Sequence, residues 1–443
     1  MMKLRIIILS LSVILLCYIF FRSEIIWDGE IRNYYKKYFY FSCFAIFFAI
    51  IFFFIKDQIL KYIYIFFISC LIGLYLFEAY LTFFTIYRGS IKIDSNNIKI
   101  YKKETGLEYD TRQKFQVYDD LKKVNPNTKV ALGPINHKNN NLYSLSGISN
   151  VDTILCNENG YYAIYKSDRY GFRNNNENWD KYNKEYILVG DSFGIGECVN
   201  SDKTITSFLE KFSKKTALSL SFGGNGPLTE YATIREYLRP NMNKIIWIYF
   251  DGNDQTNLNR ELKSEILKNY LKDKNFTQNL ISRQNQIDKL LERTIEIERE
   301  KAQFRFERSF VYRFFKFLKL FNTRDFFENL HQRKYSQKVE IKKEFYEIMR
   351  LTKEITNDNN SELHFVYLPD TMVMKNKCNN KSESYDLIKK FITIDLNINF
   401  IDLCEKLFHR IDDPLKLFPF RKNGHFNEFG YETISKIIYE NTK

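Results

Sequence analysis

Three short apolar runs each end in a turn of small polar residues: YILVGDSF (186–193), ALSLSFGGNGP (217–227) and KIIWIYFDGND (244–254). Short continuous apolar runs closed by turn signals read as strands buried on both faces. Between the first two, residues 201–214 place Ile205, Phe208, Leu209 and Phe212 on one helical face. A second helix is expected over 229–238, stopped by Pro240. Further strands are expected at ELHFVYLP (362–369) and NFIDL (399–403). Strands alternating with helices predict an α/β domain with a parallel sheet covered on both faces. Such sheets bind ligands at the carboxyl ends of their strands, so the three turns are expected side by side.

The chain before this pattern is of a different kind. Residues 6–21, 38–55 and 59–87 are strongly apolar, the last interrupted by Lys61 and Glu78. Each is near the roughly 20 residues that cross a bilayer as a helix. They predict an anchor over 1–88 with three transmembrane helices. No small-residue cleavage site follows the first run, which argues against a removed signal peptide. Lys3 and Arg5 place the N-terminus in the cytoplasm. Three crossings then export the rest, although Arg32, Lys36 and Lys37 on the exported loop run against the rule. A leader of short strands over 89–183 is expected to pack on the main domain. The main domain covers 184–443 and carries a charged helical insertion over about 256–360. Within that insertion, RSFVYRFFKFLKLFNTR (308–324) mixes cations with large aromatics. It reads either as an amphipathic lid or membrane-surface helix, or as a helix packed on the body by its aromatic face.

The net charge of +13 suits anionic surfaces such as lipid and acidic glycans. No nucleic-acid role is read from it. Seven cysteines show no CxxC spacing, so neither a zinc site nor a disulfide pairing is read.

The strand-end residues define a chemistry. Ser192 follows the first strand, where an alcohol is exposed and a helix N-terminus can support developing charge. A glycine at 223 or 224 lets a backbone N–H approach a substrate. Asn253 supplies an amide from the third turn. Together with Ser192 N–H these form a candidate oxyanion hole. Of five histidines, His425 alone sits in a polar, glycine-flanked turn before a terminal helix, and it is the candidate base. Asp191 reads as a brace of its turn, Asp254 as fixing the third turn, Asn427 as pinning the last turn, and His364 as a core residue. DRYGFR (168–173) is a further candidate lining for a glycan pocket.

GDSF, GGNGP, GND and GH, in that order, resemble the four blocks of the SGNH (GDSL-type) hydrolase superfamily. The resemblance covers 184–443 and is nearest to membrane-anchored bacterial members that esterify or de-esterify surface glycans. It implies a three-layer flavodoxin-like domain and Ser/His acyl chemistry without metal or diffusible cofactor. By position it makes Ser192 the nucleophile, Gly224 (with Gly223 as alternative) and Asn253 oxyanion-hole residues, and His425 the general base. The family places an aspartate two or three residues before the histidine; here Lys422 and Asn423 stand there. Three completions follow: a Ser–His dyad with Asn423 as orienting group, a carboxylate from elsewhere such as Asp370, Asp412 or Asp413, or an inert body. The expected function is a membrane-anchored esterase or O-acyltransferase acting on acylated cell-envelope glycans, with the soluble domain outside. The alternative is a degenerate domain that binds glycan or partners a membrane acyltransferase.

Overall fold

Five strands carry the runs that read as buried: β1 (Lys184–Val189), β2 (Ala217–Ser219), β3 (Met242–Phe250), β4 (Glu362–Leu368) and β5 (Asn399–Asp402). Their order across the sheet is β5-β4-β3-β1-β2, and every pairing is parallel. This is the doubly wound 2-1-3-4-5 order, whose switch point lies between β1 and β3. Ile187, Leu188, Val189, Ile245, Ile246 and Trp247 are fully buried. The strands lack an alternating pattern because helices cover both faces. Beyond Ser219 the second strand still follows the first: Leu220 N donates to Leu188 O at 2.8 Å, and Phe222 N to Gly190 O at 3.2 Å.

The computed structural model describes residues 2–26, 29, 32–89, 95–307, 309–335, 341–379, 381–422 and 424–443. The chain divides into two units, one of Met1–Ser90 with Arg313–Asn329, the other of Ile91–Tyr312 with Leu330–Lys443. The first unit contains α1 (Met2–Phe20), α2 (Arg32–Ile51) and α3 (Asp57–Gly89). Among the described residues two helices are long and apolar enough to cross a membrane, Met2–Ile26 and Asp57–Phe83. The count is two where the sequence predicts three. The middle run does form a helix, but α2 begins among Arg32, Lys36 and Lys37 and stops at Ile51, before its apolar run ends. Near the start of α1, Arg5 pairs with Asp57 at 2.7 Å and donates to Ile55 O at 2.6 Å. The beginnings of α1 and α3 therefore lie at the same end of the unit.

In the second unit, α4 (Ile205–Ser213) starts at a Thr204 cap whose Oγ1 accepts from Ser207 N at 3.2 Å. It ends at Lys214 in the left-handed region, φ 58°. Helix α5 (Pro227–Tyr237) begins with proline at its first position, where no N–H is needed. The insertion contains α6 (Ser309–Leu318) and α7 (Phe321–Tyr335), whose residues 313–329 belong to the first unit, and α8 (Lys343–Asp358). Helix α9 (Glu428–Glu440) closes the chain and packs near α4. Ahead of β1, the strands Thr128–Val130, Asp152–Ile154 and Ile164–Lys166 form a small separate sheet. Disulfides join Cys156 to Cys198 and Cys378 to Cys404.

Candidate active site

β1 ends at Val189, and the chain turns through Gly190 and Asp191 into one helical turn, Ser192–Ile195. Asp191 caps that turn, its Oδ1 accepting from Phe193 N at 2.9 Å. A Cβ at Gly194 would stand 2.4 Å from Ser221 Oγ. Only glycine lets the turn seat against the end of the second strand. Ser192 Oγ lies 3.5 Å from Asp191 Oδ2, at the edge of hydrogen-bond range.

The other two turns come to the same place. Asn253 Nδ2 donates to Asp191 Oδ2 at 3.2 Å, so the Asn253 amide and the Ser192 hydroxyl face one carboxylate oxygen. Asp254 holds the third turn closed, its Oδ2 accepting from Phe250 N at 2.9 Å. Asn225 Nδ2 donates to Gly190 O at 3.2 Å, tying the second turn to the end of β1. In that turn Gly224 has φ 87°, and nothing stands within 4 Å of where its Cβ would be. Gly223 faces a different neighbour: a Cβ there would lie 3.1 Å from Glu197 Oε2.

The imidazole of His425 stacks at a tilt on Phe193, ring centroids 5.1 Å apart. The candidate base thus touches the residue that follows Ser192. Glu158 holds it at two points: His425 N donates to Glu158 Oε2 at 2.7 Å, and His425 Nδ1 lies 3.1 Å from Glu158 Oε1. Glu197 Oε2 stands 3.7 Å from Nε2, on the other side of the ring. The close approach of Glu158 depends on Gly424, at φ 148°, where a Cβ would stand 2.7 Å from Glu158 Oε2.

Glu158 was not among the sequence candidates, and it takes the place they were meant to fill. Asn423 lies outside the described residues. Asp370 instead caps the Thr371–Lys375 helix, and Asp413 caps Pro414–Leu417 and pairs with Arg421. Asp412 is exposed. Glu158 belongs to the loop between strands Asp152–Ile154 and Ile164–Lys166, 267 residues upstream of His425. Its one sequence signal is the CNENG stretch with a lone cysteine.

That loop is fastened to the segment after Ser192. The Cys156–Cys198 disulfide lies two residues before Glu158 and one after Glu197. Asn159 Nδ2 adds a bond to Cys198 O at 2.8 Å. Arg173 is buried beneath, donating to the carbonyls of Gly196 at 2.7 Å and Val199 at 2.6 Å. Asp168 is turned inward as well, accepting from Tyr170 N, Phe172 N and Trp179 Nε1. Asp168 and Arg173, the two ends of DRYGFR, are therefore held inside the body. Glu158, Cys198 and His425 bring ligand-type atoms within 4.8 Å of one another. The Cys198 sulfur is already bonded to Cys156, which leaves one carboxylate and one imidazole.

Burial lowers the basicity of His425, but its bond to Glu158 and the charges of Glu197, Glu158 and Asp191 outweigh this and hold it above its ordinary value. Burial raises Glu158, and the bond and charge of His425 bring it below the usual carboxylate range. Burial pushes Asp191 up to about 6, against the pull of Phe193 N–H, the His425 charge and the Asn253 amide. Glu230 and Asp254 are pushed well up by burial first and then by neighbouring carboxylates. The site thus has an ionised carboxylate on the imidazole and a more protonated set of acids behind the strand ends.

No protein-family model matches the chain, and no curated protein matches it. Among solved structures, the chain is similar to a protein from Desulfitobacterium hafniense DCB-2 described as lipolytic and of the G-D-S-L family. The likeness covers 58% of this chain and 99% of that one, at 12% identity and a TM-score of 0.32.

Proposed function

We propose that the chain is a membrane-anchored serine esterase or O-acyltransferase of SGNH type. The observation that carries this reading is the Glu158–His425 pair, seated on Phe193 beside Ser192. With Nδ1–H donated to Glu158, Nε2 is left as the proton acceptor. Ser192 Oγ attacks the ester carbonyl and its proton passes to Nε2. Ser192 N–H, a backbone N–H of the Gly223–Gly224 turn, with Gly224 the assigned residue, and the Asn253 amide hold the oxyanion. Collapse expels the alcohol, which takes the proton from His425. Water or a sugar hydroxyl then attacks the acyl-enzyme, its proton returning through His425.

The rival, an inert body that binds glycan or assists a membrane acyltransferase, drew its support from the absent carboxylate. Glu158 supplies one, which favours the enzyme. An acylated envelope glycan remains the proposed substrate, in keeping with the +13 charge and the apolar helices. A membrane acyltransferase that delivers acyl groups is the proposed partner. Two disulfides suit an oxidising compartment. The shared end of α1 and α3 supports α2 as the returning crossing, which would leave the body outside when Lys3 and Arg5 stay in the cytoplasm.

A serine-directed fluorophosphonate is expected to label the purified full chain, with the adduct mapping by peptide mass to the fragment holding Ser192. An unlabelled chain that melts cooperatively sinks the enzyme reading. Asn253→Ala is expected to lower kcat by about 10² to 10³ while leaving KM nearly unchanged, because the amide acts on charge that develops in the transition state. A loss confined to KM would remove Asn253 from the oxyanion hole.

A further inference from the structure

Glu78 lies in the span Asp57–Phe83, yet it is fully buried and fully engaged. Its Oε2 accepts from Thr323 N and Thr323 Oγ1, both at 2.8 Å. Its Oε1 accepts from Asn322 N at 3.1 Å and Asn322 Nδ2 at 3.0 Å. A carboxylate in an apolar span is costly unless such partners meet it. Here they are the free N–H groups of the first turn of α7, so the charge caps a helix from outside. Tyr75 adds a bond from its hydroxyl to Leu318 O at 3.0 Å, and its ring packs on Phe317. Phe77 packs edge-on against Phe326. Residues 313–329 are thereby part of the apolar unit, although the chain enters them from the other unit and returns to it.

The segment presents large apolar side chains outward. Phe314, Phe315, Leu318 and Phe327 are between 44% and 57% exposed. They continue the exposed apolar surface of α3, where Leu71, Leu76 and Tyr80 are equally open. Arg313, Lys319 and Arg324 are interleaved with them and exposed. Glu78 lies in the C-terminal half of α3.

We propose that residues 313–329 form an interfacial hairpin embedded in the phospholipid bilayer beside the C-terminal half of α3, locked there by the Glu78 carboxylate. The aromatics face the acyl chains and the cations face the phosphates. The inference rests on the membrane part of the reading above and is independent of the esterase chemistry. It commits to lipid rather than a protein partner because the apolar surface is continuous with that of a candidate span and the segment is cationic on balance, Arg313, Lys316, Lys319 and Arg324 standing against Asp325 and Glu328.

The test uses the full chain reconstituted in phosphatidylcholine vesicles with or without brominated acyl chains. Phe314→Trp and Phe327→Trp are made separately in a Trp27→Phe background, with Leu71→Trp in α3 as the control. The fluorescence added at 314 and at 327 is expected to be quenched by bromine to the same extent as at 71, and to be shielded from aqueous iodide. Quenching by iodide and not bromine at both positions, with position 71 quenched by bromine, overturns the hairpin and leaves the anchor standing. Insensitivity to both quenchers at 314 and 327 also overturns it, since a protein then covers the face. If bromine fails to reach position 71, anchor and hairpin fall together. Neither failure touches Ser192 labelling.

Discussion

Ser192→Ala is expected to lower ester turnover by about 10⁶ while leaving the melting temperature almost unchanged. On the proposed mechanism the effect is large because the hydroxyl oxygen forms the covalent bond, and the base has no proton to take without it. The fold should be indifferent. The helical turn after β1 is capped by Asp191, not Ser192, and among the described residues the hydroxyl bonds only through the long contact of 3.5 Å to Asp191 Oδ2. Alanine also removes no packing atom beyond one oxygen. Steady-state assay with a chromogenic short-chain ester, beside a calorimetric melt, separates the two readouts. Residual turnover within about tenfold of the natural chain would mean that another group is the nucleophile.

Glu158→Gln is expected to lower kcat/KM by about 10⁴, through the imidazole rather than through substrate. Glutamine keeps the size and can still meet His425 N, but it carries no charge. It also offers an amide N–H that turns Nδ1 into the acceptor, which puts the proton on Nε2 where Ser192 needs a lone pair. The pH profile provides the diagnostic. The reactive imidazole is the neutral form, so activity rises with pH through the His425 pKa, which lies above its ordinary value. Removing Glu158 takes away its hydrogen bond and its charge, both of which raise that pKa, and the rising limb moves to lower pH. A structural role alone would leave the limb in place. An unchanged limb together with an unchanged kcat would return the site to a Ser–His dyad. Asn423→Asp serves as the contrast: with Nδ1 already engaged by Glu158, an acid at 423 is expected to add little.

The difference between these two residues is one of sequence range. Ser192, Asn253 and the glycines at 223 and 224 each follow a strand by a few positions. Strand ends in a parallel sheet are readable because full burial writes them as unbroken apolar runs, and turn residues are readable because backbone geometry selects them locally. His425 was legible for the same reason, in a polar turn ahead of α9. Glu158 had no such signature. It reaches His425 because a small separate sheet carries its loop there, because Cys156 bonds to Cys198, and because Gly424 leaves room. None of those three conditions is local to Glu158.

The segment of residues 313–329 divides in the same way. Its mix of cations and aromatics is plain in residues 308–324, and either a membrane surface or the body would satisfy that pattern. The hydrogen bonds from Asn322 and Thr323 to Glu78 set the segment against α3, and they give the Glu78 carboxylate its partners within that apolar helix. Local chemistry in the chain thus determined the strands, their polar turns, the candidate nucleophile, the candidate base and the apolar helices, since burial periodicity and turn geometry act over a few residues. Tertiary structure decided which carboxylate meets the imidazole and which helix receives residues 313–329, because a charge buried far along the chain is paired by whatever the fold brings within 3 Å or so of it.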